Sequence, residues 1–327
     1  MLRSVYDVAF GYPRGSIPAA DVAAGTATSD LLRLAFSYRG SIMYKMQAGM
    51  GDVVFTPLYE VLRARGVKFR FFHAVTGLRL GRDEGGRPVK RVDEIELIEQ
   101  AKLAPGVDEY IAVEGVEGLE CWPSKPLWDQ LEPAAEGHEF ELELNPLQRD
   151  PHTLRRSLPG EPKDFDEVVL AIPVGALEPI CQELIAGDER FAAGIKGAVT
   201  VQTQAFQVWA NRPAAELGWN HDENSVAGCY VEPLDTYCDM SHLIPRESWD
   251  PSDSVKTIAY FCGVLDEVDG ETPEEATERV KGHAIDFMEK DMAALWPQAR
   301  GGDGSFDWSV LVDRNGGSGA ERFDSQY

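Results

Sequence analysis

The sequence contains no run of about 18 consecutive apolar residues, the length that a membrane-spanning helix needs, so no transmembrane segment is expected. Residues 1–11 hold one arginine and no apolar stretch, unlike a secretory signal. Basic residues are scarce: 31 Lys and Arg stand against 55 Asp and Glu, a formal net charge of −24 over 327 residues. Such acidity repels a phosphate backbone and an anionic membrane surface, which argues against nucleic acid as a partner. Cysteine is sparse. Cys121, Cys181, Cys229, Cys238 and Cys262 are odd in number, widely spaced and without a CxxC pair. Neither a disulfide framework nor a zinc site is expected, and reduced thiols suit a cytoplasmic location. The six histidines are scattered with no HExxH, so no metal site is expected. A P-loop and a true GxGxxG are both missing.

What is present is ordinary globular material, 43% hydrophobic and 26% charged. The length predicts roughly two domains. Residues 30–36 read as a short helix with Ser29 or Asp30 as N-cap. Gly49-Met50-Gly51 precedes a helical stripe of Val53, Val54, Leu58, Val61 and Leu62 that Gly66 would end. Residues 67–75 then predict a strand with Val67, Phe69 and Phe71 on one face. Residues 81–163 predict a β-rich excursion. Gly85-Gly86 and Asn145-Pro146 mark its turns, and 92–98 and 139–144 alternate apolar with acidic residues as a half-wet antiparallel sheet does. The apolar run 168–172, ending at Pro173, predicts a strand buried on both faces. Strands are expected again over 200–210 and 254–264. Thr272-Pro273-Glu274-Glu275 is a capping box with proline at N1, followed by Ala276, Val280, Ala284, Met288 and Met292 at a spacing of four. Residues 306–327 read as strand-like, then glycine-rich.

Two motifs carry possible chemistry. The Gly49–Gly51 turn reads either as a place for positive φ or as close backbone approach to a cofactor at a helix N-terminus, which favours anions. Gly316-Gly317-Ser318-Gly319-Ala320 is similar to a nucleophile elbow without its final glycine, and Ser318 reads as a loop serine.

The order of elements is more telling than either motif. Residues 44–51, the helix with Leu62, Arg65-Gly66-Val67, Val75, and 167–173 occur in the order found in the middle of the flavin amine oxidase and phytoene desaturase superfamily, which this chain resembles over about residues 40–327. The stretches 200–209 and 272–296 match that family's substrate domain in position and type. The resemblance implies an α/β fold: a partial FAD-binding Rossmann-like sheet with a β-rich insertion and an α+β substrate domain. The expected divisions are 1–80, 81–163, 164–180 and 181–327, with strands 67–75 and 167–172 in one sheet. It also implies FAD as cofactor, near Gly49, Met50, Gly51, Val75 and Pro173, with adenine at the Val75 backbone. A small-molecule substrate, apolar, amine-bearing or a lipid, would deliver a hydride equivalent to the flavin. Tyr44, Gln204, Trp209 and Tyr230 are the expected pocket, with Tyr237 beside them. Two family signatures are missing, the N-terminal strand–GxGxxG–helix and a C-terminal Gly-Asp segment. The chain therefore resembles the central portion of a flavoenzyme whose other FAD-binding segments come from the full-length chain or another subunit, and by itself it is expected to bind FAD poorly. The alternative is a non-catalytic scaffold that kept the fold without the cofactor. The family's strand lysine is also absent: Gln202, Gln204 and Gln207 are the polar residues there, and Lys45 lies in a different segment.

Overall fold

The computed structural model describes residues 23–327 apart from 42–43, 134–150, 157–163, 222–224, 229–230, 251 and 327. The architecture is mixed α and β, and its named strands pair only in antiparallel ladders. The chain divides into two compact units. One comprises residues 1–53 and 201–327 with 116–118; the other comprises 54–115 and 119–200. Among the described residues no helix is long and apolar enough to cross a membrane.

In the first unit, helix α1 (Ala24–Phe36) starts a turn and a half before the expected Ser29 or Asp30 and has no side-chain cap. The core of this unit is a four-stranded sheet. Its strands are β4 (Gln202–Ala210), β5 (Val226–Ala227), β6 (Thr236–Asp239) and β7 (Thr257–Leu265), in the spatial order β4-β7-β6-β5. Helix α6 (Pro273–Lys290) covers one face. It begins at the expected capping box, in which Thr272 Oγ1 accepts from the Glu275 N–H while Glu275 accepts from the Thr272 N–H. Phe206, Val208, Tyr237, Phe261, Phe287, Met288, Met292 and Trp296 fill the space between sheet and helix. The final segment forms 3₁₀ turns, Trp308–Val310 and Gly319–Ser325, where a strand was expected. It still covers the edge of β4: the Val312 N–H donates to the Trp209 carbonyl, and Gln326 Oε1 accepts from the Trp209 N–H at 2.7 Å.

The second unit opens with helix α2 (Thr56–Ala64). The helix ends in a Schellman motif, with Gly66 at φ 86 and the Val67 N–H donating to the Leu62 carbonyl. The β excursion is a three-stranded sheet of β1 (His73–Arg82), β2 (Pro88–Glu99) and β3 (Pro151–Arg155), in order β1-β2-β3. The β1–β2 turn is tied by Asp83, whose carboxylate accepts from the Gly85 and Arg87 N–H groups. The second turn, Asn145-Pro146, and the strand expected at 139–144 lie outside the described residues. Leu78, Val92 and Ile95 pack on α3 (Leu177–Ile180), α4 (Gln182–Gly187) and α5 (Glu189–Gly197) through Leu177, Cys181, Leu184 and Phe191.

Two expected strands are not in ladders. Ladder pairing begins at His73, and residues 67–71 run without turn or bend and outside any sheet. Residues 167–171 do the same. The expectation that 67–75 and 167–172 share a sheet is therefore not met among the described residues. Nor is 168–172 buried on both faces: Leu170 and Ile172 pack inward, while Val169 is 92% exposed. An apolar run becomes doubly buried only when neighbours cover both of its faces, and here one face has none.

Candidate functional site

Strand alternation sorts the sheet of the first unit into two faces. Phe206, Val208, Phe261 and Tyr237 point to α6. The intervening residues form the other face. Gln207, Tyr260 and Cys238 lie in register across β4, β7 and β6, and Ala205, Cys262 and Thr236 form the next row. Gln207, Tyr260, Cys262, Thr236 and Cys238 are half-buried, and Ala205 is exposed. At one end this face is closed by Trp209, Met240, Ile244 and Trp249 around Ile258, with the two tryptophan rings 5.2 Å apart and edge-on. Arg314 stacks over Trp209 and pairs with the Asp253 carboxylate.

Lys45 reaches this face. Its Nζ donates to the Asp239 carbonyl and meets the Cys238 thiol. The segment is anchored by His242, whose Nε2 lies 2.7 Å from the Met46 carbonyl. Sequence reasoning noted Lys45 and could not place it; it passed over Tyr260, Cys238 and Cys262. The signal was the alternation in β7, where Tyr260 and Cys262 flank the core residue Phe261.

Burial pushes the Cys238 thiol up, against the opposing pull of the Lys45 ammonium. Burial also raises the Tyr260 phenol and the Cys262 thiol, which are hydrogen-bonded to one another. All three groups are neutral at pH 7. Asp239 of β6, and Asp235 just before it, have the opposite parity and are buried. Among the described residues the face thus offers a phenol, an amide, a hydroxyl and two thiols, with Lys45 and Arg314 at its margins; the Thr236 hydroxyl donates to the Asp235 carboxylate at 3.1 Å.

Other expected site residues fall elsewhere. Gln204 belongs to the core face and is 4% exposed. Its Nε2 donates to the Pro233 and Val264 carbonyls, and its Oε1 lies 2.8 Å from His283 Nδ1. It braces the core instead of lining a pocket. Tyr237 is likewise core. Trp209 sits on the open side but is enclosed by its aromatic cluster. Tyr44 is 70% exposed, and its hydroxyl donates to the Arg39 carbonyl at 2.5 Å. Tyr230 lies outside the described residues.

Gly49, Met50 and Gly51 do stand at a helix start, with the Asp52 and Val53 N–H groups donating to the Gly49 carbonyl. Neither glycine has positive φ, which corrects that reading. The anion reading also meets an obstacle. The Asp52 carboxylate folds over Gly49, where an added Cβ would meet it at 2.7 Å, and Asp52 helps raise the Glu247 carboxyl after burial has done so. A helix terminus already covered by its own Asp52 carboxylate does not fit a diphosphate. Val75 is paired with Leu97 in β1, an edge strand of its sheet, and Pro173 opens the 3₁₀ turn Val174–Ala176 before α3. Ser318 caps the 3₁₀ turn Gly319–Ser325, its hydroxyl 3.1 Å from the Glu321 carboxylate.

His283 gives a pH prediction. Burial and then Arg279 lower its pKa, against Asp286, Asp266 and Glu271, which raise it. Its folded value is below the unfolded one of about 6.5, so the stability it contributes is present above that pH and is lost progressively as pH falls below it through the folded value. The urea midpoint should drop between pH 8 and pH 5.5 by more in the parent chain than in His283→Gln. An equal drop in both would contradict this.

No protein-family model, curated protein or solved structure matches the chain.

Proposed function

We propose that the chain is the substrate-side part of an FAD-dependent oxidoreductase of the amine oxidase and phytoene desaturase type, with the open face of the β4–β7 sheet as its substrate side. One observation carries this reading: a half-open sheet face bearing Gln207, Tyr260, Cys262 and Cys238, neutral throughout and with Lys45 at its edge. The element order supports it, since an antiparallel excursion is inserted between two apolar straight segments, as in that family's cofactor domain.

When bound, the flavin would accept the hydride equivalent. The chain's own groups then have modest tasks. Tyr260 and Gln207 donate hydrogen bonds to a substrate oxygen, Trp209 and Trp249 close one end against water, and no side chain on this face removes a proton at pH 7. The phenol, the amide and the thiols of this face are neutral at pH 7 and the Lys45 ammonium stands at its margin, which disfavours a second ammonium group. The substrate is therefore a neutral, largely apolar molecule, which selects the apolar and lipid options over the amine. The diphosphate does not fit the Gly49–Gly51 turn, so its binding loop belongs to another polypeptide segment. The chain acts in the cytoplasm, where its thiols stay reduced.

Lumiflavin, an isoalloxazine without the nucleotide, tests this directly. It should slow alkylation of Cys238 and Cys262, followed by peptide mass spectrometry, and leave Cys121 unaffected. Equal alkylation of all three with and without lumiflavin would remove the reading.

A further inference from the structure

Residues 67–71 join α2 to β1 and contain no turn or bend. The Val67 N–H is used by the Schellman motif, and the Phe71 carbonyl lies 2.6 Å from His73 Nδ1. Among the described residues, the N–H groups of Lys68, Phe69, Arg70 and Phe71 have no backbone partner. This is a strand without a ladder, and its donors and acceptors repeat about every 6.6 Å along each edge.

The side chains alternate as in a strand. Phe69 and Phe71 turn toward Tyr59, 4.8 and 6.1 Å away between ring centroids. Lys68 and Arg70 have the other parity and are exposed. Beside the segment is a cavity of about 580 Å³ walled by Phe69, Phe71, Phe72, Tyr110, Ala101 and Leu103. Phe72 is held at φ 57, a conformation rare for a bulky residue, with its ring edge-on to Tyr110 at 4.9 Å.

The charge at the rim is selective. Glu109 is held by Arg63 in a two-pronged pair at 3.0 and 3.1 Å, and Glu99 stands opposite His73 in the β1–β2 register. Asp108 is the remaining acid of this rim. Lys68 and Arg70 make no ion pair among the described residues. A repeating row of main-chain groups is matched by another extended backbone better than by a compact small molecule.

We propose that residues 67–71 are a docking edge for an extended polypeptide strand of a partner protein, alternating apolar and acidic. Its backbone pairs with Lys68–Phe71 amides, its apolar side chains enter the aromatic cavity, and its acidic side chains meet Lys68 and Arg70. The flavin reading is not needed for this.

The probe is a nine-residue blocked peptide of alternating Glu and Val, with its Lys-Val counterpart as control, added to the full chain. Amide hydrogen exchange at 68–71 should be fast in the free chain and slowed at least about tenfold by saturating Glu-Val peptide. The charge reversal Lys68→Glu with Arg70→Glu, both at exposed positions, should weaken binding by about fivefold or more. Absence of protection at 68–71, equal binding of the Lys-Val peptide, or amides already protected in the free chain would each overturn the proposal.

Discussion

Phe261→Ala is expected to lower the stability of the first unit by about 3–5 kcal/mol. Phe261 is fully buried in the middle of β7 and holds three aromatic partners at once: Phe206 stacked at 4.7 Å, Phe287 at 5.0 Å and Tyr237 at 5.3 Å. Truncation removes the apolar contact and leaves a cavity between sheet and helix. The surrounding groups are the rings of a sheet and an 18-residue helix, which collapse poorly into a void. Urea unfolding followed by tryptophan fluorescence reports the effect. A loss below about 1 kcal/mol would show that sheet and helix are not packed as described.

Gly263→Ala should be nearly as damaging by the opposite route. Gly263 is the β7 residue in register with Gln204, and a Cβ built on it falls inside the Pro233 carbonyl and lies 3.3 Å from the Leu234 Cα. Both obstacles are backbone, so the segment carrying them must shift. That segment includes the carbonyl to which the Gln204 amide donates, so overpacking and a lost buried hydrogen bond act together. The expected cost is about 3 kcal/mol, the upper part of the usual overpacking range. Gly282→Ala is the control. Gly282 lies within α6, and a Cβ there meets nothing within 4 Å. It should gain about 0.5–1 kcal/mol. Equal effects of the two substitutions would contradict the packing at Gly263.

The capping box at Thr272, the spacing-four stripe of α6 and the glycine end of α2 were legible because each rests on interactions within a few residues. The strands at Gln202–Ala210 and Thr257–Leu265 were legible because alternation survives in their sequences. Residues 167–172 were misread for a physical reason. An apolar run records a preference for burial, and whether Val169 is buried depends on neighbours that the run does not specify. The resemblance implies Gln204 for the pocket, but a family likeness does not fix which face a strand residue takes, and here two core carbonyls and His283 satisfy its amide. Lys45 reaches the sheet across nearly two hundred positions of sequence, a proximity that no local pattern encodes. The open face itself was half legible: the parity of Tyr260 and Cys262 was present in β7, but the face acquires meaning only when the three strands are set in register.

The most direct test of the account is an FAD titration of the chain, alone and together with a strand–GxGxxG–helix polypeptide, followed by flavin absorbance near ~450 nm. The account predicts no saturable complex with the chain alone, because the Asp52 carboxylate covers the Gly49–Gly51 helix start, and a stoichiometric complex once the diphosphate-binding segment is supplied. In that complex Tyr260→Phe should shift the flavin band. A tight complex with the chain alone, no complex in either case, or a flavin spectrum indifferent to Tyr260 would contradict it.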